Sequence, residues 1–129
     1  MEQDVFTVFA HGRLADANGQ IEFSRLEWKA HPQFAGVFLK NLVAPEQTHG
    51  LLTCHLVRIE PGCAIGRHLH PASIELHEVV EGEGVCRTEG GDIGYVPGTL
   101  AVMPAGSPHE IVAGDRGLSL FAKFVTAAI

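Results

Sequence analysis

The stretch Gly62-Cys-Ala-Ile-Gly-Arg-His68-Leu-His70-Pro-Ala-Ser-Ile-Glu75 sets two imidazoles one residue apart, with a carboxylate five positions later. On an extended chain, residues i and i+2 point to the same face, so His68 and His70 can address one point in space. A helix would turn them about 200° apart. Three metal-type ligands this close together therefore ask for a β scaffold. Pro71 reinforces it, because a following proline biases His70 towards extended backbone. The small residues Ala72 and Ser73 leave room for the chain to turn before Glu75.

The rest of the chain agrees. Fifteen glycines and seven prolines are spread along 129 residues, which suits many short strands and turns. Strands are expected at Ile21–Trp28, Gly36–Val43, Leu51–Glu60, Glu75–Val80, Val85–Thr88, Ile93–Val96, Leu100–Met103, His109–Val112 and Leu118–Val125. Asn18-Gly19 signals a hairpin, and Ala44–Gly50 reads as a loop. No segment sustains a helical period over three turns, the last few residues excepted. The expectation is an all-β sandwich or barrel of one domain, 1–129, with residues 1–45 adding edge strands.

Two motifs carry a resemblance. The first is Gly62, His68-x-His70, Glu75 and Gly82; the second is Gly98, Pro104-x-Gly106 and His109. Nine positions in register across residues 62–82 and 98–113 make the chain resemble the cupin superfamily, in particular its small single-domain members. The Asn that usually closes the second motif is Ala113 here. The resemblance implies a double-stranded β-helix (jelly-roll) barrel whose lumen holds one divalent transition metal on His68, His70, Glu75 and His109. It also implies a homodimer, with which the apolar content of Phe6, Val8, Phe9, Phe34, Val37, Phe38 and Leu39 is consistent.

Three neutral imidazoles and one carboxylate suit Zn, Fe, Mn, Ni, Co or Cu and are poor for Ca or Mg. A five- or six-coordinate ion keeps one or two positions open for water or a bidentate substrate. Strand parity puts His77 on the face of Glu75 and Val79, so it is a candidate acid/base or ligand-holding group; packing against the barrel wall is the bland alternative. His55 shares a face with Thr53, Val57 and Ile59, which is either lumen or exterior. Tyr95 either caps the pocket mouth or packs. Arg67, Glu78 and Glu81 are expected in solvent, and His11, His31 and His49 are not expected to be ligands. Cys54, Cys63 and Cys86 form no CxxC pair and read as reduced thiols, with Cys63 near the site.

Net charge is −6 with no Lys/Arg cluster, which argues against nucleic acid as a partner. No apolar run approaches the roughly 20 residues of a membrane span. The acidic start Met1-Glu2-Gln3-Asp4 lacks the blocks of a signal peptide, so a cytoplasmic location is expected. The segment Trp28–Leu42 with Leu56–Gly62 resembles cupins related to the sensory domain of zinc anti-sigma factors, and small diketone-cleaving dioxygenases have a similar layout. Within 129 residues an anti-sigma helical domain is not expected. The functional expectation is a metal-dependent enzyme, dioxygenase-like, acting on a small oxygen-bearing molecule. The alternatives are a non-catalytic sensor or carrier and a sugar-acid isomerase or lyase.

Overall fold

A computed structural model describes residues 4–126, and two long strands organise it. In chain order the elements are helix α1 (Val5–Ala10) and strands β1 (Arg13–Asp16), β2 (Gly19–Glu22), β3 (Lys29–Ala30), β4 (Val37–Val43), β5 (Leu52–Ile59), β6 (Ala64–His68), β7 (Ser73–Thr88), β8 (Gly91–Tyr95), β9 (Leu100–Met103) and β10 (His109–Thr126). Strand β10 lies against β7 along nearly its whole length. Its first half also pairs with β6 and its second half with β5. The sheet order is β3-β4-β5-β10-β7-β8, with β6 on β10 and β9 on β7. The result is the expected all-β jelly roll.

Both long strands were expected as pairs of shorter ones. They stay continuous and bend together where the ladder shifts register between Ala113 and Leu118. Gly82 sits at that bend with φ +83°, and a Cβ placed there would lie 2.1 Å from the Gly117 carbonyl oxygen. Only glycine permits both the left-handed backbone and this approach. The bend divides the ladder into two faces that close on a core including Val57, Ile59, Val79, Met103, Ile111, Leu118 and Leu120.

The N-terminal segment departs from expectation. β3 and β4 do extend the sheet at its edge, but β1 and β2 form a separate two-stranded hairpin. Its tight turn falls on Ala17-Asn18, where the Asp16 carboxylate accepts from the Asn18 N–H at 2.7 Å. The strand expected over Ile21–Trp28 ends at Glu22, because Phe23 opens a 3₁₀ turn that buries its ring. Residues 5–10 are helical: Phe6 and Ala10, four apart, share the buried face. They pack with Phe23, Leu42 and Leu56 in a second core on the outside of the barrel. Buried Lys40 donates from Nζ to the Ala10 carbonyl at 2.6 Å, tying the helix's C-terminal end to β4. No helix among the described residues is long and apolar enough to cross a membrane. Met1–Gln3 and 127–129, on which the signal-peptide reading and the helical reading of the last residues partly rest, lie outside the described residues.

Candidate metal centre

Three different strands deliver the site. His68 ends β6, Glu75 and His77 stand two apart on β7, and His109 opens β10. His109 is the ladder partner of His68 across β10–β6. His70 follows in the turn after β6, where its carbonyl accepts from the Gly106 N–H at 2.8 Å. That bond joins the two sequence motifs directly. Ala113, standing where an Asn is usual, donates its backbone N–H to the Cys63 carbonyl at 2.9 Å and so ties β10 to the residue before β6.

One donor atom each from His68, Glu75 and His109 lies within 4.8 Å of the others. His70 stands at the rim of this group, with Nε2 3.6 Å from Glu75 Oε1 and its side chain 38% exposed. The ring centroids of His68 and His70 are 5.1 Å apart, and those of His68 and His109 are 4.4 Å apart.

The tautomers follow from the backbone. His68 Nδ1 is 2.7 Å from the Gly66 carbonyl, and His109 Nδ1 is 3.0 Å from the Ser107 carbonyl. A carbonyl can only accept, so both Nδ1 atoms carry hydrogen. In the neutral ring each Nε2 then presents a lone pair to the cluster. This is the usual way in which an outer hydrogen bond orients an imidazole ligand. Glu75 Oε1 and His109 Nε2 approach to 3.1 Å, yet neither has a hydrogen-bond partner of acceptable geometry although both are buried. Two electron-rich atoms at that distance repel unless a proton or a metal cation sits with them. The donor set therefore fits a divalent transition metal.

Charge is arranged accordingly. Burial pushes the Glu75 carboxyl up, but contacts from His109 and His77 outweigh it and hold the group well below the usual carboxylate range. His109 is the counterpart: burial lowers it, and the Glu75 and Ser107 contacts raise it above the ordinary histidine value. Burial lowers His70 despite the nearby carboxylate.

His77 is fully buried, and both of its nitrogens are engaged. Nε2 lies 2.6 Å from Glu75 Oε2, and Nδ1 lies 2.6 Å from the Tyr95 hydroxyl. Nε2–H donates to the carboxylate, so Nδ1 accepts from Tyr95 O–H. His77, the candidate acid/base group, is thus held between Glu75 and Tyr95, with no nitrogen left for a second molecule. Tyr95 is not at the pocket mouth; it is completely buried. Burial, then the Cys86 thiol beside it, pushes its hydroxyl far above the ordinary range, so it stays protonated. Of the two readings the sequence left open for Tyr95, the packed one holds, and its hydroxyl contact with His77 is what local pattern did not show.

Beside the cluster lies a cavity of about 360 Å³. His55 faces it, which settles the question of its face. His55 Nδ1 is 2.5 Å from Asn41 Oδ1 and Nε2 is 3.3 Å from Thr53 Oγ1. His31 is not among the clustered donors but lines the same cavity, its Nδ1 accepting from the N–H groups of Gln33 and Phe34. Burial lowers both imidazoles, which keeps them neutral. Arg67 and Glu78 are outside, paired with Glu89 and Lys123. Glu81, His11 and His49 are exposed. The three cysteines are free thiols, and Cys63 packs against Gly36.

Similar proteins share the fold. An oxalate-binding protein of Thermotoga maritima is 29% identical over 91 residues, covering 69% of this chain and 75% of that protein. The crystal structure of a predicted oxalate decarboxylase from Thermotoga maritima superposes with a TM-score of 0.71 at 24% identity, over 79% of this chain and 92% of that one. KdgF from a Halomonas species gives a TM-score of 0.68 at 21% identity, over 81% and 92%. The cupin domain model matches residues 55–122, which run from within β5 through most of β10 and include all four expected ligands, and the chain belongs to that family.

Proposed function

We propose that His68, His70, Glu75 and His109 hold one divalent transition metal, and that the protein is a metal-dependent enzyme acting on a small oxygen-bearing molecule in the adjoining cavity. The observation that carries this is the pair of imidazoles held through Nδ1 by backbone carbonyls beside a buried, otherwise unpartnered carboxylate oxygen that lies 3.1 Å from His109 Nε2. Bound there, the metal would supply Lewis-acid polarisation of a substrate oxygen and, if it is iron, a site for dioxygen chemistry.

The chain's own residues have distinct tasks. His77 keeps Oε2 of Glu75 occupied and so leaves Oε1 for the cation. Tyr95 keeps His77 in the tautomer that can do this. Phe124, stacked edge-on to His70 at 4.8 Å, helps exclude water from the inner wall. Metal content of the purified protein by elemental analysis, followed by oxygen uptake with Fe(II) and diketones, phenols or keto-acids, tests the reading. Anaerobic turnover would point to isomerase or lyase chemistry. Stoichiometric metal with no turnover on any substrate would favour a binding protein, as the name of the Thermotoga relative describes that protein.

A trough of about 660 Å³ under α1 runs beside exposed Val5, Phe9 and Leu100. This apolar surface supports a homodimer. Three free thiols support residence in a reducing compartment, the cytoplasm.

A further inference from the structure

The wall of the metal-side cavity carries information about charge that the ligand cluster alone does not. Its surface is mostly apolar, and Phe34, Leu39, Val57, Ile65, Leu120 and Phe124 are among the side chains that line it. Its polar groups outside the cluster are His31, Gln33, His55 and His77; neither lysine nor arginine lines it. His31 accepts two backbone N–H groups on Nδ1, which leaves its hydrogen on Nε2 as a neutral donor. His55 gives its Nδ1–H to Asn41, which leaves Nε2 as a neutral acceptor shared with Thr53.

Charge balance follows from this list. A divalent cation and ionised Glu75 leave one net positive charge. One negative charge on a ligand cancels it. A second finds no guanidinium or ammonium in the wall, and against a mainly apolar wall an uncompensated charge is disfavoured. The arrangement contrasts with sites built for dianions, where arginine commonly forks onto the second carboxylate.

Resting on the metal reading above, we infer that the cavity selects a monoanionic molecule with two neighbouring oxygens and a mainly apolar body, and discriminates against small dicarboxylates. The paired oxygens face the His68–Glu75–His109 cluster, and the body packs on Leu120 and Phe124. His31 and His55 accommodate one further uncharged polar group.

Two probes separate the classes: tropolone, an apolar ring bearing one negative charge over two adjacent oxygens, and oxalate, a dianion without an apolar body. The protein is loaded with Co(II), uptake is counted by elemental analysis, and each probe is titrated against the visible absorption of the bound ion. Affinities are normalised to those for the aqueous ion. Tropolone is expected to gain at least ~10-fold over oxalate on this scale. Leu39→Arg places a cation in the wall and should reverse the preference; circular dichroism and retained Co(II) verify that this variant folds. Wild-type protein that takes up Co(II) but binds oxalate equally or better, or binds neither probe, overturns this inference and leaves the metal reading intact. Failure to take up any metal overturns both.

Discussion

The hydroxyl of Tyr95 lies 2.6 Å from Nδ1 of His77, whose other nitrogen lies 2.6 Å from Oε2 of Glu75. A phenol from β8 thereby fixes which nitrogen of a fully buried imidazole carries hydrogen, and through it the orientation of a carboxylate on β7. Removing the hydroxyl with Tyr95→Phe leaves Nδ1 buried and unpaired. The expected cost is about 1–3 kcal/mol of stability and a roughly 10–100-fold loss of metal affinity. Thermal unfolding of metal-free protein and competitive metal titration read the two effects separately. Unchanged metal affinity with lowered stability would reduce Tyr95 to a packing residue.

The clustered histidines predict selective metal loss. His109→Ala deletes a donor at the centre of the group and should abolish stoichiometric retention after dialysis. His49 is exposed and has φ 54°, a left-handed backbone that alanine would strain. His49→Asn tolerates that conformation, so it is the proper control and should retain metal at the wild-type level. Equal retention in the two variants, measured by elemental analysis, would contradict the ligand assignment.

Protons and metal compete for the gap between His109 Nε2 and Glu75 Oε1. Glu75 ionises below its ordinary value of 4.5 in the folded chain, so its contribution to stability is complete above that value and lost as pH falls through the lowered one. His109 is raised above 6.5, so its contribution is complete below 6.5 and lost as pH rises through the raised value. In metal-free protein the pair therefore stabilises most between about pH 4.5 and 6.5. Metal-loaded protein should show the opposite alkaline trend, gaining affinity as His109 deprotonates. Glu75→Gln should flatten the alkaline limb of the metal-free profile. Melting temperatures across pH, with and without metal, would expose a wrong sign directly.

These residues differ in how far the sequence pointed to them. His68, His70 and Glu75 stand out through parity along a strand and spacing around one turn, which are local properties, whereas His109, in a separate stretch, is picked out only by the resemblance of its motif. His77 shared the parity of Glu75. Tyr95 was not legible as its partner, because the contact crosses from β7 to β8 beyond the bend at Gly82. His55 had an undecided face until its pairing with Ala122, itself paired with His77, put all three in one row across the sheet. His31 sits before a proline in an irregular segment, and only tertiary folding carries that segment over the cavity. The six-residue helix α1 was too short for periodicity to separate it from an apolar strand, and what holds it is burial of Phe6 and Ala10 together with the Lys40 tie.

Gly82 is where fold and site meet. It lies between the half of β7 that carries Glu75 and His77 and the half that pairs with β8, which carries Tyr95. Gly82→Ala must tolerate a φ of +83° and a Cβ only 2.1 Å from a backbone oxygen of Gly117. Backbone atoms in a paired ladder have little freedom to move away, so the ladder between β7 and β10 must open locally. The expected destabilisation is at least ~3 kcal/mol, combining left-handed strain with overpacking. Gly90→Ala, in the exposed turn, places its Cβ no closer than 3.8 Å to the Thr88 hydroxyl and should cost far less. Urea unfolding of both variants measures the contrast. If Gly82→Ala unfolds at the wild-type midpoint, the close approach of β7 to β10 is not what bends the barrel.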